Sequence, residues 1–373
     1  MRHILSIFLI VFVFIGCTMK EQVVEIKYPN TNQVNKKPIS NIGKEIKLED
    51  KIAPLEPIDI IESNISVFDN KEQAKIAIIY PSSLVAKYAK TSISTVSGYF
   101  AYRNIDINLK VIDSVNENIE SIQSSFDQLK QLGIQNVIAL YTPRAIYNLH
   151  QADSSGLKVY LPLLEKKEVQ LPNENFIYGA ISYEKQINKL LSYSNHKKTM
   201  FYQESFLGYK LKAKFENIVD DFLIKKEITK NRNNFRSLVK DYRFSNSTLF
   251  LNTDNVKTSI LLSQLRAYNI YPKVIMSTQV NYDPLLFSLT QTKDMERFIV
   301  ANSIDDVDPK LVDDIDTFGG NITYEWVDYS TLVGTNYLYD YNNSNIIKTK
   351  IVDNEVIYEP RLFKTIESSF LEI

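Results

Sequence analysis

Lys75-Ile76-Ala77-Ile78-Ile79-Tyr80, closed by Pro81-Ser82-Ser83, is the stretch that decides how this chain folds. After Lys75 it is continuously apolar and β-branched, without the polar alternation of a half-exposed strand. Both of its faces must therefore be covered, as in a parallel sheet with helices on each side. Pro81 withdraws a backbone donor and ends the run. Residues 84–102 follow at helical spacing (Leu84, Tyr88, Val96, Phe100), and residues 107–112 return to strand character.

Downstream the same unit recurs. Residues 118–132 are amphipathic through Ile119, Ile122, Phe126, Leu129 and Leu132, with Gly133 where a helix cap needs a positive φ. Strands are expected at 136–141 and 157–161, around a short helix at 145–151. Strands that alternate with helices make a parallel sheet with right-handed crossovers. A second series then begins, with helices at 184–195, 210–223, 235–242 and 256–268 and strands at 199–203, 226–229, 248–252 and 273–277. From Phe298 the pattern changes to a strand at 298–301, an acidic helix at 309–318, a long helix at 324–339, and a hairpin of 346–352 and 355–363 about Asp353-Asn354.

The expected fold class is α/β, two-lobed, with parallel sheets, helices on both faces and a C-terminal β-hairpin. Residues 75–178 plus 303–365 form the first lobe and hairpin, and residues 179–302 the second. Ligands of such folds bind where strand ends face the cleft.

Composition narrows the function. Lys and Arg total 43 against 44 Asp and Glu, a net charge of −1, which lacks the footprint of a nucleic-acid binder. Gly is scarce at 10 of 373 residues, so glycine-rich phosphate loops are nearly excluded. His3, His150, His196 and a single Cys provide no zinc-ligand spacing. The acidic clusters Asp305-Asp306-Val307-Asp308 and Asp313-Asp314-Ile315-Asp316 lack the Gly and terminal Glu of a calcium loop and read as solvated surface. No nucleophile motif such as Gly-x-Ser-x-Gly occurs. The expectation is a non-enzyme with no cofactor and no metal.

Upstream, Arg2 and His3 precede an apolar run that ends at Phe14-Ile15-Gly16-Cys17. The run is shorter than the roughly 20 residues that a spanning helix needs, and it has the form of a signal peptide covering residues 1–16. A small residue followed by Cys resembles a bacterial lipobox, in which the thiol is acylated and the chain is cut just before it. Phe14 stands where Leu is usual. An ordinary secretory signal with an incidental Cys is the competing reading. Thr18, in place of the Asp that retains such lipoproteins at the inner membrane, points to the outer membrane facing the periplasm. Residues 17–74 are polar, irregular and proline-punctuated, and read as lipid anchor and flexible tether.

The order and lengths of the elements over residues 75–365 resemble the type I periplasmic binding proteins, the fold of branched-chain amino-acid receptors. The most legible segments are residues 75–81, Gln203-Glu204-Ser205-Phe206-Leu207-Gly208-Tyr209, and Phe318-Gly319-Gly320 ahead of the long helix. With an anchor and a closing hairpin, the chain looks most like the penicillin-binding protein activator lipoproteins, although only a tether precedes the fold. The resemblance implies a non-enzymatic protein-interaction module on the outer membrane, with an envelope partner of the peptidoglycan synthase kind. The alternative is a membrane-tethered receptor for a small amino-acid-like ligand. Amino-acid receptors hold the ligand's carboxylate and amine with hydroxyl-rich turns after the third and fourth strands. Here those turns read Tyr141-Thr142-Pro143-Arg144 and Leu161-Pro162-Leu163-Leu164-Glu165. The fold implies cleft candidates just past strand ends: Ser82, Ser83, Thr142, Arg144, Glu204, Ser205, Asn252, Asp254 and Thr278. Caps and turns account for the same residue types, and Arg144 is the one whose fork suits a carboxylate.

Overall fold

The computed structural model describes residues 73–170, 172–230, 234–340 and 346–373. The signal segment, Cys17 and the tether lie outside the described residues. The opening stretch is strand β1 (Ala74–Tyr80), between the parallel strands β2 (Ile107–Asp113) and β3 (Asn136–Ala139). β4 (Lys158–Leu161) and β5 (Phe176–Tyr178) continue the sheet in the order β2-β1-β3-β4-β5. Residues of β1 alternate between two cores. Ile76 and Ile78 pack on one face, and Ala77 and Ile79 on the other. That double burial is why the run tolerates no polar residue.

The second sheet repeats the winding with β6 (Lys198–Gln203), β7 (Phe222–Ile228), β8 (Thr248–Asn252), β9 (Val274–Ser277) and β10 (Phe298–Asn302), in the order β7-β6-β8-β9-β10. Helices α1 (Ser82–Arg103), α2 (Ile119–Gln131) and α3 (Ile146–Gln151) follow successive strands of the first sheet. Between β5 and β10 come α4 (Tyr183–Tyr193), α5 (Phe206–Ile218), α6 (Phe235–Val239), α7 (Asn255–Ala267) and α8 (Leu285–Leu289). The chain then returns to the first lobe as α9 (Pro309–Phe318) and α10 (Trp326–Asp340). α10 is buried almost all round, as befits a core helix. Several of its polar residues bond within the core, with Ser92 Oγ and Thr331 Oγ1 at 3.1 Å and Tyr160 OH and Ser330 Oγ at 3.1 Å. Gly334 leaves the room in which the Tyr160 ring lies, since a Cβ there would sit 2.4 Å from it.

The C-terminal hairpin is shorter than expected, and its second half belongs elsewhere. β11 (Lys350–Val352) and β12 (Glu355–Ile357) flank Asp353 and Asn354, whose φ values of 49° and 60° make the expected tight turn. Residues 358–360 then leave the sheet. β13 (Arg361–Ile366) pairs antiparallel with β10 in the second sheet, followed by β14 (Ser369–Glu372). The break has a physical cause, because Pro360 cannot donate to a ladder and the Tyr358 hydroxyl is instead donated to the Gly179 carbonyl at 2.7 Å.

Other boundaries also move. α5 begins at Phe206, four residues ahead of the expected start, because Ser205 caps it. Phe222 and Leu223 leave the expected helix and open β7. β5, α8 and β14 have no counterpart in the sequence reading, since runs of three to five residues carry no measurable period. Among the described residues, no helix is long and apolar enough to cross a membrane.

Candidate functional site

The reversal of strand order in each sheet leaves the C-terminal ends of β1 and β3 and of β6 and β8 facing the space between the lobes. On the first-lobe rim, the Ser82 amide donates to Asp113 Oδ1 at 3.1 Å and the Ser83 amide to the Val115 carbonyl at 3.1 Å. Val115 adopts φ +64°, a strained conformation for a β-branched residue, and its own amide donates to Asp113 Oδ1 at 2.7 Å. Its side chain is largely exposed, so little packing offsets the strain. Val115→Asn is expected to raise stability by about 1 kcal/mol, because Asn tolerates the left-handed region. An unchanged urea midpoint would refute that.

Thr142 is already occupied from within the chain. Its amide donates to Glu117 Oε1 and its hydroxyl to Glu117 Oε2 at 2.8 Å, while Asn148 Nδ2 donates to the Glu117 carbonyl at 2.7 Å. Burial pushes the Glu117 carboxyl above the usual range, and the Thr142 bonds and the charge of Arg144 oppose it. A carboxylate of the protein itself thus takes the hydroxyl and amide that the receptor resemblance would assign to a ligand. Arg144 is exposed, with its guanidinium carbon 5.6 Å from the centre of the Phe206 ring of the opposite lobe.

On the second-lobe rim most candidates serve local structure. Ser205 Oγ accepts from the Gly208 amide at 3.0 Å and caps α5. Asp254 caps α7, accepting from the Lys257 amide at 2.8 Å and pairing with its ammonium at 3.0 Å. Glu204 Oε2 accepts from the Lys230 amide at 2.9 Å. Asn252 and Thr278 are fully buried, and Asn252 Oδ1 and Thr278 Oγ1 have no hydrogen-bond partner among the described residues.

Groups invisible to motif reading join the lobes. Glu165, 4% exposed, and Glu168 lie just past β4 and face α5 of the other lobe. Lys210 pairs with Glu168 at 2.9 Å, and Lys214 lies 3.5 Å from Glu165 and 3.4 Å from Glu168. Burial works against the ionised form of Glu168, yet Lys210 and Lys214 hold its carboxyl below the usual range. Lys167 bridges Glu165 at 3.2 Å and Glu184 at 2.7 Å. Beneath these charges Leu211 is part of the first lobe's hydrophobic core, and Leu207 and Val280 pack against it. Deeper still, Gln186 Nε2 donates to Gln279 Oε1 at 2.9 Å and to Ser303 Oγ at 2.8 Å. Charge spacing alone could have suggested only the alternating Lys210, Lys212 and Lys214. Lys212 pairs with Glu216 one turn along the same helix, but the carboxylate partners of Lys210 and Lys214 lie more than 40 residues away in sequence.

Around α5 the lobes therefore meet through apolar packing and are fastened by ion pairs. A cavity of about 170 Å³ lies instead at the far end of the second lobe, lined by Leu265, Arg266, Ile270, Ile275 and Arg297, and is smaller than the roughly 300 Å³ of a small-molecule pocket. Among the described residues no His, Cys, Asp or Glu cluster is arranged to hold a metal ion. Asp308 caps α9 through the Lys310 amide at 2.8 Å, and Asp305 accepts from the Thr349 hydroxyl at 2.6 Å.

Two lobes of identical winding, joined after β5, β10 and β12, are the type I periplasmic binding protein fold. No family model and no curated protein matches the sequence. Solved structures do match. A Rhodospirillum rubrum protein assigned to branched-chain amino acid ABC transport aligns at TM-score 0.62 and 11% identity, over 81% of this chain and 100% of its own. A branched-chain amino acid ABC transporter protein from Thermus thermophilus with bound valine aligns at 0.58 and 12%, over 81% and 96%. Full-length LpoA from Haemophilus influenzae aligns at 0.55 and 13%, over 82% of this chain and 60% of that one. At these identities the likeness is one of fold.

Proposed function

We propose that this chain is a non-enzymatic protein-interaction module of the bacterial envelope, anchored to the outer membrane through acylated Cys17 and facing the periplasm, where it acts on a protein partner such as a peptidoglycan synthase. The observation that carries this reading is the cleft itself. Thr142 is bound by Glu117, the rim hydroxyl of Ser205 and carboxylate of Asp254 cap helices, and Leu211, with Leu207 beside it, packs into the first lobe's core across the cleft. The activator-lipoprotein resemblance of the sequence and the fold-level likeness to LpoA support the same reading.

The second reading, a tethered receptor for an amino-acid-like solute, draws on the buried unpartnered oxygens of Asn252 and Thr278 and on the neighbour with bound valine. A thermal-shift screen with amino acids and small metabolites separates the two. The module reading expects no saturable shift, whereas a ligand present at 100 times its Kd would stabilise the protein by about 2.7 kcal/mol and overturn it. Labelling with a fatty-acid analogue tests the anchor, since Cys17→Ser is expected to abolish incorporation. Equal labelling of both forms would refute acylation at Cys17.

A further inference from the structure

The rim of the cleft carries a set of groups that the closed cleft does not use. Arg144 follows Thr142 in the turn after β3, and its guanidinium makes no hydrogen bond or ion pair with the described residues. It is held over the Phe206 ring, which opens α5 in the other lobe. Phe206 is 65% exposed, and Tyr147, one helical turn beyond Arg144, is 71% exposed. Tyr209, one turn further along α5, is also exposed. Large aromatic side chains left in water forfeit roughly 25 cal/mol for each Å² of apolar surface that could be covered. An arginine laid against an aromatic face keeps its fork presented outwards.

The local charge points to what would cover them. Glu117, the carboxylate that feels the charge of Arg144, is bonded to Thr142, while on the second-lobe rim Glu204 accepts from the Lys230 amide and Glu227 from the Tyr209 hydroxyl at 2.5 Å. Glu117 lies near enough to feel the charge of Arg144, yet its two carboxylate oxygens accept from the Thr142 amide and hydroxyl. Among the described residues Arg144 is thus a cation without a paired anion, with exposed rings beside it from both lobes. Arginine and tyrosine in this setting are the residue types that anchor protein interfaces, and a guanidinium fork matches a carboxylate through two parallel hydrogen bonds.

We propose that Arg144, Tyr147 and Phe206 form a docking surface across the cleft rim for a protein segment that pairs an Asp or Glu side chain with neighbouring apolar side chains. The carboxylate meets the Arg144 fork, and the apolar side chains cover Phe206 and Tyr147. Because the surface draws on both lobes, it exists only while the lobes are held together by the Glu165, Glu168, Lys210 and Lys214 cluster. The inference rests on the interaction-module reading and specifies where its partner binds.

The test uses the full chain in the intact envelope, with a benzoylphenylalanine photocrosslinker at position 147, 206 or 242. Tyr242 is 86% exposed and precedes β8, at the end of the second sheet away from the cleft. Adducts are expected from positions 147 and 206, with crosslinked partner peptides that carry Asp or Glu beside apolar residues. Arg144→Ala should lower their yield by about tenfold or more, and Arg144→Lys should restore it only in part. Since Arg144 is exposed, the melting curve of Arg144→Ala should match wild type and so separate binding from folding. Adducts unaffected by Arg144→Ala, partner segments without carboxylates, or adducts from position 242 alone would overturn this surface while leaving the module reading intact. Absence of adducts from all three positions, together with a saturable thermal shift by a small solute, would overturn both.

Discussion

Gly98→Val is expected to destabilise the protein by about 3 kcal/mol or more, at the upper end of what overpacking a core costs. Gly98 sits inside α1 where that helix crosses α9. A Cβ added there would lie 2.6 Å from Ile315 Cα and 2.8 Å from Ile315 Cγ1. The nearest atom is backbone, so no rotamer change relieves the contact, and α9 must move as a unit. Helix propensity works the other way, because Gly in a helix interior costs about 1 kcal/mol relative to Ala. The two effects make Gly98→Ala the informative companion, milder than Val but still destabilising. Urea unfolding followed by circular dichroism and by Trp326, the sole tryptophan, reads both. A wild-type midpoint for Gly98→Val would show that α1 and α9 do not approach as closely as described.

Asp328→Asn is expected to have the opposite sign at neutral pH. Asp328 is 1% exposed in the first turn of α10, and burial pushes its carboxyl from 3.8 to about 6, opposed by the Thr91 side chain and by the bond from the Asn321 amide at 2.8 Å, with the charge of Glu325 adding to the rise. Because the folded-state value lies above the unfolded one, the folded state prefers the neutral acid. Below about pH 4 the group carries no penalty. As pH rises from about 4 to 6 stability falls, and above pH 6 the full penalty of about 3 kcal/mol is in place. Asn keeps an oxygen to accept from the Asn321 amide and removes the charge. At pH 7.5 Asp328→Asn should therefore melt higher by roughly 5–10 °C, and the slope of stability between pH 4 and 6 should flatten. If the variant melts lower at pH 7.5, the interactions of the ionised carboxylate with Thr91 and the Asn321 amide outweigh the penalty of burying its charge.

How much was legible depended on the length of each signal. The run at Lys75 to Tyr80, the amphipathic residues 118–132 and the acidic helix at 309–318 stand where their periods place them, as β1, α2 and α9. Short elements failed for the same reason that long ones succeeded. β5 is three residues, and its strand character comes from β4 and β12 on either side rather than from its own composition. The hairpin turn at Asp353-Asn354 was legible because positive φ restricts residue choice, but the departure after β12 depends on a bond between Tyr358 and Gly179, 179 positions apart. Among the cleft candidates, Ser205 and Asp254 proved to be helix caps, a role that their residue types favour anyway.

By itself, then, the sequence determined the α/β class, the doubled winding and the doubly buried strands, because these follow from local periodicity and from where prolines and glycines interrupt it. Tertiary structure alone decided the state of the cleft. Glu117 meets Thr142, Glu165 meets Lys214, and Phe206 meets Arg144 only after two sheets have been wound and apposed. Contacts between residues distant in sequence leave no period to read, and whether a hydroxyl is free or already bonded is a property of the folded chain.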